Sequence, residues 1–506
     1  MPFNSIFAWV MKKRLHQIDL FRKYPHEVQT ELLEKIIQQG TSTEFGKAHH
    51  FDQITDYQSF KTQVPLSDYE SLKPWVDRLM TGEQQLIWPT ETKWFAKSSG
   101  TTSDRSKFIP VTKESLLDCH YKGGKDLLAL YYENFPNRKL YKGKHLIIGG
   151  SAQILPVSED AYQGDLSAII VKNLPWWAEI RRTPSKEIAL MSEWEEKIQR
   201  MAESTINEDV YIIAGVPSWT LVLANKVLEI SGKKNLREVW PNLELFMHGG
   251  VSFAPYRDAF NKLIPFDDMH YVETYNASEG FFGIQDVDGS TELLLMLDYG
   301  IFYEFIPMDS FNGCASTNVL RLNDVEIGKE YALVITTNAG LWRYIIGDTI
   351  KFTNTLPYRF QISGRTKQFI NAFGEELIVE NAEKAIEIAS LKTNAQIKEY
   401  TVAPVFMNGK EKGKHEWLIE FARNPDDSNR FIHILDETLR AINSDYDAKR
   451  MKNMALELPI VQELSTGTFN SWLANKGKLG GQHKIPRLSN DRVIVDELLL
   501  LSTNRI

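Results

Sequence analysis

The run Tyr211-Ile212-Ile213-Ala214, then the helix-length stretch Trp219–Ile230, then Leu243-Glu244-Leu245-Phe246-Met247 decides the fold class. A short, almost wholly apolar run reads as a strand covered on both faces. A helical segment between two such runs reads as a crossover to a parallel neighbour. The alternation extends upstream to His145–Gly149, with Glu187–Ala202 long enough for a helix, and downstream to Tyr271–Thr274. It predicts an α/β domain with substantial parallel sheet. Beyond it, Glu292–Leu297, Ile301–Ile306, Tyr331–Thr337 and Leu341–Ile346 make a second block of strands, the last two joined by the turn residues Asn338-Ala339-Gly340. This block predicts mixed sheets with a barrel-like lobe attached to the larger domain.

The texture changes on both sides of this centre. In the first 90 residues, Val28, Leu32, Leu33, Ile36 and Ile37 recur at helical spacing, and Gly40 supplies a stop. After Ser363-Gly364-Arg365, the stripe Leu377, Ile378, Ala382, Ala385, Ile386, Ala389 predicts a helix. Strand-like Tyr400–Val405 and Glu416–Phe421 flank the polar stretch Met407–Lys414, and a further helix is predicted over Phe431–Ile442. The reading is a large N-terminal domain, 1–366, and a small α+β C-terminal domain, 367–506, with the boundary near Lys367. At 506 residues the chain exceeds the size at which one core keeps growing.

Composition narrows the function. A formal net charge of −8 argues against general nucleic-acid binding, which needs a basic footprint. The two cysteines, Cys119 and Cys314, lie far apart and outside any metal-ligand pattern, which fits a reducing compartment. Phe7-Ala8-Trp9-Val10 is followed at once by Lys12-Lys13-Arg14, unlike a secretory signal, and no apolar run nears the roughly 20 residues that cross a bilayer. A cytoplasmic protein without membrane partners is expected.

Several polar segments carry possible chemistry. Ser98-Ser99-Gly100-Thr101-Thr102-Ser103 surrounds a glycine with hydroxyl groups and is followed by Arg105 and Lys107. Hydroxyls, backbone N–H groups and a cation suit a polyphosphate, although the same residues dominate ordinary turns. No Gly-Lys-Ser/Thr closes the pattern, so it is not a Walker loop. Tyr275-Asn276-Ala277-Ser278-Glu279-Gly280 follows the strand Tyr271–Thr274, where ligands of open α/β sheets gather, and its Glu279 is a candidate Mg²⁺ ligand. Trp342–Asp348 ends in Gly347-Asp348, an acid able to accept from two ribose hydroxyls. Gly364-Arg365-Thr366-Lys367, with Gly374-Glu375-Glu376 after it, falls at the change of texture and reads as a hinge. Lys476-Gly477-Lys478-Leu479-Gly480-Gly481-Gln482-His483-Lys484-Ile485-Pro486-Arg487 is glycine-rich and cationic.

Individually these segments are ambiguous, but their order is not. From about Trp94 to Arg487 the chain resembles the adenylate-forming superfamily of acyl-CoA synthetases and luciferases. Within it, the chain is similar to the auxin-responsive-promoter family of acyl-acid amido synthetases. The resemblance implies that Ser98, Ser99, Gly100, Thr101, Thr102 and Lys107 hold the phosphates of ATP. It implies that Tyr275, Ser278 and Glu279 form the second motif, with Glu279 on Mg²⁺, and that Asp348 and Arg365 hold the ribose. Gly249 and Gly250 are similar to the pair flanking the adenine and acyl sites. Lys484, with Lys478 in reserve, is the cation expected at the α-phosphate, on a C-terminal domain that rotates between half-reactions. Departures are Asp104 at a usual glycine, Ala277 at a usual serine and Trp342 at a usual tyrosine.

The implied activity is adenylation of a carboxylic acid, then acyl transfer to an amine such as an amino acid. Thioester formation with coenzyme A, or nucleotide binding without catalysis, are the alternatives. Trp176, Trp177, Trp219, Phe253 and Tyr256 are candidates for the acyl pocket, with ordinary core or surface packing as the competing role.

Overall fold

A computed structural model of the chain describes residues 2–98, 107–138, 140–149, 154–158, 160–366, 368–408, 411–476 and 485–503, with side chains omitted for 2–12, 177 and 503. Its centre is an eleven-stranded mixed sheet. The parallel half runs Arg182–Thr183, Lys144–Ile147, Val210–Ala214, Leu245–Gly249, His270–Ala277. The stretch between the two central runs forms the helix Pro217–Ser231, with proline in its first turn and Gly232 at φ +67° closing it. The predicted Glu187–Ala202 helix is two helices, Lys186–Ala189 and Trp194–Thr205. Trp194 and Trp219 stack at 3.8 Å and pack the two flanking helices together.

The second block of strands continues the same sheet as its antiparallel half. His270–Ala277 turns at Ser278-Glu279 into Gly280–Ile284, a hairpin absent from the sequence reading. Leu293–Leu295, Tyr358–Arg365, Tyr344–Thr355, Glu330–Thr337 and Ile301–Pro307 follow in order. The predicted run Leu341–Ile346 is displaced: the strand begins at Tyr344 and runs to Thr355, so Asp348 lies within it rather than at its end. Gly347, at φ +99°, stands beside an irregularity in this pairing, where the local bend re-aims the neighbouring side chains.

A smaller sheet carries the phosphate-loop candidate. Trp94–Ser98 pairs antiparallel with Lys107–Val111, and Ser98 is directly opposite Lys107. Ser98 and Lys107 are therefore the two ends of a hairpin connection. The N-terminal helix Pro25–Gly40 buries Leu33, Ile36 and Ile37 as its spacing predicts. Gly40 lies so close to Trp342 that an added Cβ would meet the indole at 2.7 Å, so this turn requires glycine.

From Phe369 onward a short hairpin, Phe369–Ile370 with Leu377–Ile378, precedes a three-stranded sheet of Gln396–Val405, Lys414–Arg423 and Ile460–Glu463. The helices Val379–Lys392 and Ser428–Ile442 supply apolar faces to it. One hydrophobic cluster runs from Leu146, Ile213, Phe246 and Trp219 into Phe373, Leu377, Trp417 and Leu439. No described helix is long and apolar enough to cross a membrane.

Candidate active site

The site is built where the two halves of the sheet meet. Tyr344–Thr355 and Tyr358–Arg365 are antiparallel neighbours, and their register sets Asp348 opposite Arg365. Arg365 Nε stands 2.8 Å from Asp348 Oδ1. The Tyr275 hydroxyl, from the strand His270–Ala277, donates to Asp348 Oδ2. Three segments distant in sequence thus converge on one carboxylate. Of its two partners, only Tyr275 makes a hydrogen bond to the carboxylate, one to a charged acceptor that contributes about 1.5–3 kcal/mol, while Arg365 Nε pairs with it by charge and, among the described residues, without hydrogen-bond geometry. Tyr275 is buried, and its phenol is driven well above its ordinary pKa by desolvation and by Asp348, so it remains a donor.

Glu279 occupies the tight turn after His270–Ala277, with Ser278 beside it. Burial pushes its carboxyl up to about 7; Lys107 draws it down, while Asp348 and Glu376 raise it further. Lys107 is 6% exposed, its ammonium disfavoured by burial and supported chiefly by Glu279. Lys107 and Glu279 therefore meet electrostatically, as a loop lysine and a motif glutamate of one site should. The Lys107 ammonium also lies 5.8 Å above the Tyr69 ring.

Tyr69 was not anticipated from sequence. It opens the helix Tyr69–Met80, which Asp68 caps by accepting from the Ser71 N–H at 3.0 Å. The Phe108 N–H donates to the Tyr69 hydroxyl at 2.8 Å. The same stretch is tied to Tyr344–Thr355 through Ser67, whose N–H donates to Arg343 O and whose carbonyl accepts from Ile345 N–H.

The glycine pair closes another side. Gly249 ends the strand Leu245–Gly249, where an added Cβ would meet Thr274 O at 2.4 Å, and Gly250 has φ +82°. Phe253 stacks on His248 at 4.2 Å, and burial holds that imidazole down at about 3, in its neutral form. Behind the second motif, His120 Nδ1 lies 2.9 Å from Asn276 Oδ1, and burial lowers this histidine to about 4. His120 ends a π-helical stretch, Ser115–His120, a local irregularity that recurs at functional sites.

Thr366 and Gln368 are both anchored to other segments. Thr366 N–H donates to Gly347 O at 2.8 Å. The Arg487 N–H donates to Gln368 Oε1 at 2.7 Å, and Thr401 donates to Pro486 O at 2.7 Å. Pro486 and Arg487 at the end of the C-terminal motif therefore dock beside Gln368, three residues from Arg365. Ser99, Gly100, Thr101, Thr102, Lys367, Lys478 and Lys484 lie outside the described residues.

The structure adds Glu376, whose carboxylate stands 3.7 Å from Arg365 Nη1. Its signal in the sequence was only its place after Gly374 in the segment that follows Arg365. Of the acyl-pocket candidates, Trp219 and Tyr256 are core residues and Trp176 is 76% exposed. Tyr256 donates to Ala372 O at 2.6 Å, a role in joining segments.

The GH3 family N-terminal domain matches residues 14–269, the GH3 family central domain 294–365 and the GH3 family C-terminal domain 380–493. The chain belongs to the GH3 family. Among curated GH3 relatives, indole-3-acetic acid-amido synthetase GH3.4 of Arabidopsis thaliana is 23% identical, over 94% of this chain and 91% of the relative. The 4-substituted benzoates-glutamate ligase GH3.12 of Arabidopsis thaliana is 24% identical, over 91% and 92%. Jasmonoyl--L-amino acid synthetase JAR6 of Nicotiana attenuata is 23% identical, over 94% and 93%. Its fold is shared with the solved GH3.15 acyl acid amido synthetase, at TM-score 0.59, 18% identity and coverage of 94% and 93%. A 2-hydroxyisobutyryl-CoA ligase also shares it, at TM-score 0.56 and 12% identity, over 94% and 92%. These GH3 relatives are named as amido synthetases or amino-acid ligases of different acids, whereas the fold also occurs in a CoA ligase.

Proposed function

We propose that this GH3 protein is an ATP-dependent acyl-acid amido synthetase. It adenylates a carboxylic acid and passes the acyl group to an amine, an amino acid being the acceptor class. One observation carries the reading: Asp348 and Arg365 face each other across adjacent strands, with the Tyr275 hydroxyl on the same carboxylate. Among the described residues Asp348 accepts a hydrogen bond from Tyr275 and pairs by charge with Arg365, which leaves acceptor capacity of the kind both hydroxyls of a ribose require. The ordered motifs and the curated GH3 relatives support the same reading.

A carboxylate becomes reactive only when its oxygen is made a better leaving group, and attack on the α-phosphate of ATP achieves this. Negative charge grows on the phosphoryl oxygens, so fixed donors and cations lower the barrier. Lys107 and the hydroxyl-rich loop beginning at Ser98 are assigned to the phosphates. Lys484, with Lys478 as second choice, is assigned to the α-phosphate.

Glu279 fits a single protein ligand to Mg²⁺. Burial leaves it an acid whose charge is costly, and a dication relieves that cost. No described cluster of His, Cys, Asp and Glu makes a closed metal cage, in keeping with the Mg²⁺ preference for one or two carboxylates plus phosphate oxygens. Bound there, Mg²⁺ would neutralise phosphate charge.

The division into 1–366 and 367–506, with rotation about Lys367, is part of the proposal. The GH3 central and C-terminal models, which stop at 365 and resume at 380, support that boundary. Lys484 then serves adenylation and leaves for transfer. Replacing Lys484→Ala should suppress acid-dependent ATP–pyrophosphate exchange while transfer from supplied acyl-adenylate survives; undiminished exchange refutes this assignment. The acid is sought among indole-3-acetate, 4-substituted benzoates and jasmonate, crossed with amino acids and coenzyme A. Pyrophosphate released without acid, or thioester as the sole product, would overturn the amide reading.

A further inference from the structure

The structure assigns to Lys449 the carboxylate of the acceptor amino acid. This rests on the amide-forming reading above and deepens it: the acceptor becomes an amine that carries an anionic group. Lys449 lies in the last turn of the helix Ser444–Arg450 and is 9% exposed. Its ammonium stands 5.0 Å from the centre of the Trp219 ring, and Trp219 is itself stacked on Trp194. Among the described residues no carboxylate stands within ion-pair distance of this ammonium, and no oxygen accepts a hydrogen bond from it. Burial draws it below the usual lysine range, while Asp445, Asp165, Glu375 and Glu376 favour its charge from farther off. An indole face offsets part of the cost of burying a cation but leaves its three N–H donors without an oxygen. A buried ammonium in that state calls for an anion.

This ammonium borders the nucleotide site. An added Cβ on Gly374 would lie 3.2 Å from Lys449 Cε, 3.5 Å from its Nζ and 4.0 Å from Val216 Cγ1. One on Gly250 would lie 3.5 Å from Val216 Cγ2, so Val216 stands between the glycine pair and the segment facing the ammonium. Gly374, at φ +89°, has a backbone that glycine adopts without strain, and its missing side chain leaves the ammonium uncovered on that side. The segment itself is held firmly. The Glu376 N–H donates to Asn371 Oδ1 at 3.3 Å, and Asn371 Nδ2 donates to Gly250 O at 2.9 Å. Asn443 Nδ2 donates to the carbonyls of Glu375 at 3.0 Å and Glu376 at 3.3 Å, and Glu376 takes φ +40°. Glu376 stands 3.7 Å from Arg365 Nη1, so a short path leads from the Asp348–Arg365 pair to the surroundings of Lys449.

The reaction needs a cation of this kind. An amino acid approaching an acyl-adenylate brings a second negative charge toward that of the AMP phosphate. Lys107 and Lys484 are assigned to phosphate, and a separate ammonium offsets the new charge and fixes the acceptor with its nitrogen toward the acyl carbon. A cation largely stripped of water attracts a carboxylate more strongly than an exposed lysine does. The carboxylate takes no part in bond making, so its contact with Lys449 stabilises bound acceptor and transition state alike. Its loss therefore belongs in KM for the acceptor rather than in kcat.

The test pairs an accepted amino acid, found by screening the twenty protein amino acids, with its own carboxamide. The carboxamide keeps the amine and the side chain but has no anionic group. Lys449→Met and Lys449→Gln both remove the charge from the full-length enzyme, the first keeping the apolar stem against Trp219. Each should lower kcat/KM for the amino acid about 30-fold, the value of one charged hydrogen bond, with the change in KM. Transfer to the carboxamide should change less than about threefold. Equal losses for the two acceptors would make Lys449 a support for Trp219 and overturn the proposal, as would undiminished amino-acid transfer. Acid-dependent pyrophosphate exchange, followed in parallel, should stay within about threefold in both variants. If it falls as far as amino-acid transfer, Lys449 serves the nucleotide and the proposal is wrong. Exchange absent from the unmodified enzyme sinks the adenylation reading itself, and exchange without amide from any amino acid sinks its amide half, so these failures are distinguishable from that of Lys449.

Discussion

Two arginine–carboxylate pairs lie close together in this molecule and do different work. Arg343 and Glu304 are 3% and 1% exposed, and the arginine is saturated: Nε and Nη2 donate to Glu304 at 2.9 and 2.8 Å, Nη1 to Val64 O at 2.8 Å and Lys61 O at 3.2 Å. Tyr57 adds a hydroxyl donor to Glu304 at 2.9 Å. This pair staples the N-terminal helices to the sheet. Arg365 and Asp348 are 13% and 17% exposed, and among the described residues their donors and acceptors are only partly used. Saturation marks a staple; retained capacity marks a site. Arg343 and Asp348 even share one sequence motif, so a motif's residues need not share one role.

The strongest way to break this contrast is Arg343→Met. It leaves Glu304 buried without its cation and should cost about 3–5 kcal/mol of unfolding free energy, read from urea denaturation. A loss below about 1 kcal/mol would mean the pair is no staple, since that is what exposed pairs contribute. Arg365→Lys is the counterpart. It removes the planar fork and should lower acid-dependent exchange about 100-fold, with unfolding free energy shifted by less than about 1 kcal/mol. A variant that unfolds as readily as Arg343→Met would put Arg365 in the same class. Tyr275→Phe removes one donor from Asp348 and should raise KM for ATP about fivefold, the value of one ordinary hydrogen bond.

The smallest expected effect is a shift with pH. Glu279 has its carboxyl raised to about 7, so it is ionised above that value and protonated below it. Exchange at low Mg²⁺ should therefore lose rate as pH falls through about 7. Higher Mg²⁺ should move this limb to lower pH, because metal and proton compete for one carboxylate. In stability the sign is reversed. The raised value favours the folded state when the group is protonated, and that contribution is lost as pH rises through about 7. Glu279→Gln should remove both dependences; a limb that persists in it belongs to another group.

The parallel half of the fold was legible because doubly covered strands such as Val210–Ala214 and Leu245–Gly249 are nearly continuous apolar runs. Trp94–Ser98 and Lys107–Val111 were not, because Lys97, Ser98 and Lys107 interrupt their pattern. Tyr358–Arg365 escaped for a related reason: Gln361, Ser363 and Gly364 interrupt its apolar pattern, and Ile362 is exposed. In the site, Lys107, Tyr275, Glu279, Asp348 and Arg365 were readable because a motif carried each. Glu376 depends on a left-handed backbone held by Asn371 and Asn443, and Tyr69 on a capped helix stitched to a distant strand. Neither arrangement leaves a local pattern in the chain.

The most direct test is product stoichiometry with ATP, an accepted acid and an accepted amino acid, following nucleotide and acyl product together. The account predicts AMP, pyrophosphate and an N-acyl amino acid in equal amounts, with no AMP when the acid is omitted. ADP as the nucleotide product, or AMP formed without any amide, would contradict it.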